Sequence, residues 1–112
     1  MNEQLQRTAQ TTKQLAGRMF EYTYSRGMKA RLEIGEDTVH WTILDGPNKG
    51  EEGTNDYLAR EIAAGVYFIQ WHEPAINATI TLAINEIAGS VSSSEAYEGE
   101  QMFDTAVIHT SS

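Results

Sequence analysis

Apolar and polar residues alternate along most of this chain with a period of two. In GVYFIQWHE, residues 65–73, Tyr67, Ile69, Trp71 and Glu73 share one parity and Val66, Phe68, Gln70 and His72 the other, as expected for a strand whose successive side chains point to opposite faces. The same texture recurs over 19–25, 29–35, 38–44, 55–63, 78–87, 89–98 and 102–111, interrupted by Gly, Asn and Asp, and predicts a total of about eight strands. Ser25-Arg26-Gly27, Gly35-Glu36-Asp37 and Ala64-Gly65 have the chemistry of tight turns, where glycine tolerates positive φ. The stretch DGPNKGEEG, 45–53, carries too many glycines for a strand and reads as the main loop. Short meandering strands with one longer connection predict an all-β fold, a small antiparallel up-and-down barrel of the lipocalin or calycin kind. Closure of such a barrel removes exposed edges and leaves room for one small ligand. A two-sheet sandwich is the structural alternative.

The first 16 residues break this pattern. They are rich in Gln and Thr, with Leu5 and Leu15 almost the only large apolar side chains, and are expected to form a short helix lying on the domain. The chain thus divides into a polar segment over 1–16 and a barrel domain over 17–112. At 112 residues there is material for one core and not for two. Cysteine is absent, so packing alone must hold the fold.

Charge narrows the range of partners. A formal net charge of −8, spread along the chain, repels nucleic acid phosphates and anionic membrane surfaces. Neither a bilayer-spanning apolar run nor a secretory leader is evident, and a soluble cytoplasmic protein is expected.

Candidate chemistry gathers on two strands. Tyr22 and Tyr24 project from the same face as Phe20. Two phenols and the Glu73 carboxylate converging inside a small barrel would give an apolar pocket with hydrogen-bond donors and one general acid. Burial would raise the pKa of that acid by disfavouring its charged form. On the bland view, tyrosines two apart are pleated-sheet packing and a strand-end glutamate is simply solvated. Trp41, Tyr67 and Trp71 are barrel-packing residues that could also line a pocket, and Lys49 in the main loop could serve as a counter-charge to an organic acid. His40, His72 and His109 fall on three different strands without metal-ligand spacing, and neither a metal nor a cofactor is expected.

FEYTY followed by a Gly turn, the loop LDGPNKG, and GVYFIQWHEP together resemble the N-terminal part of the phenolic acid decarboxylases and the related MoaF-like domains. The likeness runs over roughly residues 17–85 and implies a calycin-type, lipocalin-like barrel. In the decarboxylases the matching tyrosines, a loop arginine and the glutamate before the proline line a cavity in which hydroxycinnamic acids lose CO2 without a cofactor. Carried over, the resemblance makes Tyr22 and Tyr24 the ligand-gripping phenols and Glu73 the acid. The arginine does not carry over: its place is taken by Gly50 or Glu51, and the ammonium of Lys49 cannot make a guanidinium's planar two-point grip. AINATITL also lacks the family's Gly-Thr-Asp, and the chain is shorter than a full decarboxylase. The length fits the MoaF-like domains, and the resemblance implies a homodimer. The first functional expectation is a barrel that binds a small organic or aromatic molecule. A cofactor-free carboxy-lyase, or a filled barrel with a purely structural role, are the alternatives.

Overall fold

The computed structural model describes residues 11–112. Eight strands follow one another: β1 Met19–Tyr24, β2 Lys29–Ile34, β3 Thr38–Asp45, β4 Glu52–Ala63, β5 Val66–Glu73, β6 Ala78–Asn85, β7 Ser90–Tyr97 and β8 Glu100–Ser111. Each pairs antiparallel with the next, and β8 returns to β1 to close the barrel. The up-and-down barrel expected from the alternation is the observed architecture, and the two-sheet sandwich is not. Among the described residues no helix is long and apolar enough to cross a membrane.

The parity read from the sequence sorts inside from outside. Phe20 and Tyr22 on β1, Leu32 on β2, Val39 on β3, Tyr67, Ile69 and Trp71 on β5, and Leu82 and Ile84 on β6 are all buried in one core. Registers across the sheet keep these rows level: Ile69 lies opposite Leu82, and Leu82 opposite Ser93. Burying a large aliphatic or aromatic side chain contributes about 1.5–3 kcal/mol, so the rows supply most of the stabilisation in a chain without cross-links.

Two expectations are corrected. Residues 52–53, assigned to the main loop, belong to β4. Gly53 is needed there because a Cβ would stand 2.7 Å from Cζ2 of Trp41, whose ring crosses its backbone, so the glycine marks a close approach within a strand. Among the described residues the short N-terminal helix is not found either. Residues 14–17 form a turn, and the rest of that expectation, residues 1–10, lies outside the described residues. The turn has a clear structural role, since Leu15 is fully buried. It is held by Gly17 N–H donating to Ile34 O at 2.7 Å, Thr12 N–H to Ala59 O at 2.8 Å, and Lys13 Nζ to Asp37 Oδ1 at 2.7 Å. These partners sit at the end of the barrel where β2 finishes and β3 begins. Leu15 therefore plugs that end and the opposite one stays open.

Strands β7 and β8 also turn polar side chains inward. On β7, Ser93 and Glu95 share the inward parity of Val91, and on β8 Asp104 shares that of Ala106. Outward positions of β5 through β8 carry no Asp, Glu, Lys or Arg as far as His109, and expose Phe68, Phe103 and Val107. Because interiors favour apolar side chains, acids on the inner face require either partners or a cavity.

Truncating the plug tests this account of the closed end. Leu15→Ala is expected to cost about 2–5 kcal/mol, seen as a lowered denaturation midpoint with native strand content retained. An unchanged midpoint would show that the segment only rests on the barrel.

Candidate functional site

The open end contains a cavity of about 260 Å³. Its inner wall is formed by Tyr24, Met28, Ile80, Ser93, Glu95 and Asp104, and its mouth by Arg26, Pro47, Met102 and Phe103. The lining is mostly apolar with a few convergent polar groups, the usual make-up of a small-molecule site. Two connections shape the mouth, the β1–β2 turn carrying Arg26 and the β3–β4 loop carrying Pro47. They pack closely because Gly46, at φ 85°, has no side chain: a Cβ there would lie 3.0 Å from Gly27 O.

Tyr24 is two residues beyond Tyr22 on β1, and their rings meet edge to face with centroids 5.4 Å apart, a favoured aromatic arrangement. Tyr22 is buried beneath the cavity and Tyr24 forms part of its wall. Burial pushes both phenols above the ordinary tyrosine pKa, Tyr22 strongly. Hydrogen bonds from Ser93 and Tyr22 oppose the shift at Tyr24, so of the pair Tyr24 is the more readily ionised.

The wall holds two acids, Asp104 on β8 and Glu95 on β7. Glu95 faces Ile80, which in turn faces Trp71, so the three form one inward row. Glu73 stands one row nearer the rim, where its Oε2 accepts a hydrogen bond from Trp71 Nε1 at 3.0 Å. Partial burial, and secondarily the charge of Glu73, hold the Glu95 carboxyl above the ordinary glutamate pKa. Asp104 is shifted the other way, chiefly by the hydrogen bond from Ser25 Oγ, with help from Thr105 N–H and the nearby Arg26.

The candidates named from sequence are thus partly brought together. Tyr22, Tyr24, Trp71 and Glu73 cluster at or just beneath the open end. Trp41 lies across Gly53 and donates from Nε1 to Asn55 Oδ1 at 3.0 Å, as a wall residue. Tyr67 is buried near the plugged end, where Glu61, Glu86 and Arg18 act on its phenol. Lys49 is exposed and does not line the cavity, although Pro47 of the same loop does. Ser93, Glu95, Asp104 and Arg26 escaped the sequence reading. The first three had a signal, since each falls on the apolar parity of its strand. Arg26 had none beyond its place in a tight turn.

The comparisons with known proteins agree with this architecture. A family model described as MoaF-like matches residues 16–107. The chain belongs to the MoaF-like family. Among solved structures, one described as "Crystal Structure of a putative beta-lactamase from Burkholderia vietnamiensis" is similar, with a TM-score of 0.77 and 26% sequence identity over 85% of this chain and 93% of that one. None of the curated proteins matches this chain.

Buried phenols give a titration test of this MoaF-like barrel. Unfolded tyrosine ionises near pH ~10, whereas Tyr22 in the fold stays neutral above that. Above this pH the unfolded state has lost a proton that the folded state keeps, so stability falls as pH rises. Tyr22→Phe is therefore expected to flatten the alkaline loss of stability in denaturant melts above about pH 10. An identical slope in wild type and variant would place Tyr22 in contact with solvent.

Proposed function

We propose that this MoaF-like barrel binds a small organic molecule, of about one substituted ring, in its open end. The observation that carries this reading is the cavity of about 260 Å³ where apolar walls meet Tyr24, Ser93 and Glu95. Its volume falls just below the ~300–1,000 Å³ of sites for drug-sized ligands, so the occupant is compact. Calycin-like barrels hold ligands in this way, inside a closed sheet with one end plugged.

One observation favours the second reading, a cofactor-free lyase acting on a hydroxycinnamic-type acid. A carboxyl held toward its protonated form beside two phenols is the equipment for delivering a proton to carbon as CO2 leaves. In that reading Glu95, which lines the cavity, supplies the proton, and Glu73 acts on it through its charge. Lactam cleavage, the activity in the description of the Burkholderia vietnamiensis protein, finds less support. The sequence has no Ser-x-x-Lys. Ser93 is hydrogen-bonded to the Tyr24 phenol, whose raised pKa makes it a poor base at neutral pH, and no group of three His, Cys, Asp or Glu among the described residues is placed to hold a metal ion.

The homodimer expected from the resemblance has a candidate surface in the uncharged outer face of β5–β8. Two copies of a chain with net charge −8 repel least when they meet where neither carries charge, and Phe68 and Phe103, 46% and 74% exposed, would supply apolar anchors.

A thermal-shift screen of single-ring compounds tests the binding reading. A ligand present at 100 times its Kd is expected to stabilise the barrel by about 2.7 kcal/mol, and Ser93→Leu, which fills the cavity, is expected to abolish the shift while the protein stays folded. Shifts that persist in Ser93→Leu would move the site elsewhere. Loss of the p-coumarate absorbance band on incubation, abolished by Glu95→Gln, would establish the lyase. For the dimer, light scattering should give twice the chain mass in the wild type and the chain mass in Phe103→Asp; a wild-type monomer rules the dimer out.

A further inference from the structure

The charges around the cavity bear on the class of ligand, and the inference from them rests on the binding reading above. Arg26 is the only cation among the lining residues. Its Nε stands 4.0 Å from Asp104 Oδ2, and its side chain is 67% exposed, so it lies at the rim against an acid. The other oxygen of Asp104 accepts from Ser25 Oγ and from Thr105 N–H. Asp104 is therefore fully answered, and together with Arg26 adds little net charge to the interior. Glu95 differs. Among the described residues it makes no ion pair and accepts no side-chain hydrogen bond, and Glu73, whose charge acts on it, has the same sign. A half-buried carboxyl without a counter-charge is costly in its ionised form, and a like charge beside it adds to the cost.

We propose that the cavity takes a ring-bearing organic cation, a protonated amine on a short arm, with the ammonium at the Glu95 carboxylate and the ring against Tyr24, Met28 and Ile80. The ammonium supplies the charge and donors that Glu95 lacks, and Glu73 reinforces the attraction from one row above. An anionic ligand of equal size would meet both glutamates and could gain only Arg26, already engaged with Asp104. The net charge of −8 draws cations toward the protein and repels anions.

The titratable and charged groups around Glu95 are Tyr24 from β1, Glu73 from β5, and, across the cavity, Asp104 from β8 and Arg26 from the β1–β2 turn. Of these, Asp104 is held ionised, chiefly by the hydrogen bond from Ser25 Oγ. Protonating Glu95 removes the ammonium's partner, so affinity for the amine falls as pH is lowered.

Calorimetric titration with three compounds of one shape, phenethylamine, phenethyl alcohol and 3-phenylpropionate, tests this at neutral pH. The amine is expected to bind most tightly, at least about tenfold more tightly than the acid, and Glu95→Gln to weaken the amine by about ten- to hundredfold, the range for a hydrogen bond to a charged group. As the pH is lowered from neutral the amine affinity of the wild type should fall, whereas that of Glu95→Gln should be flatter. An acid or alcohol that binds more tightly than the amine overturns the cation assignment and leaves the binding reading standing. Amine affinity unchanged in a folded Glu95→Gln protein overturns the role of Glu95. Failure of all three compounds to bind counts against both this assignment and the binding reading.

Discussion

Closure of the sheet is the constraint on which the rest of this structure depends. Once β8 pairs with β1, every strand has one face turned into a shared interior and one turned out. The two-residue period then decides, position by position, which side chains meet. Phe20, Leu32, Ile69 and Leu82 meet because their parities agree, and the same rule forces Ser93, Glu95 and Asp104 inward. The polar groups cannot retreat to the surface without dragging Val91 and Ala106 out with them. The barrel accommodates them by leaving space at that end, while Leu15 fills the other.

Much of the fold was legible because it rests on local parity. The faces assigned to Tyr67, Ile69 and Trp71 are those observed, and eight strands follow from alternation and turn chemistry alone. Gly53 was misassigned because its reason is not local: the demand comes from Trp41 on the neighbouring strand, which a count of glycines cannot reveal. The N-terminal turn was missed for a similar reason. Leu15 looks like an isolated apolar residue in a polar stretch until the barrel end between β2 and β3 offers it a place.

The candidate site was legible where it depends on parity and hidden where it depends on assembly. Tyr22 and Tyr24 share a face by spacing, and Glu73 follows Trp71 by the same arithmetic. That Glu95 lines the cavity while Glu73 stands behind it follows from the register of β5, β6 and β7, which one strand read alone does not contain. Arg26 reaches the mouth because the β1–β2 turn happens to border it, and Lys49, the cation weighed from sequence, points to solvent. Cation supply at this mouth thus comes from the short β1–β2 turn and not from the long loop, and the balance of acids over bases there differs from what loop composition alone would indicate.

The seam joining β1 to β8 also constrains how the chain acquires its shape during synthesis. Phe20 pairs with Ser111 and Tyr22 with Ile108, so the first strand to leave the ribosome waits for the last before it finds its second neighbour. A sheet of β1 to β7 alone would have two free edges. Pairing so distant in sequence slows folding. Interim protection of those edges, by a chaperone or by rapid completion of translation, would therefore govern the yield of barrels more than the stability of the finished fold.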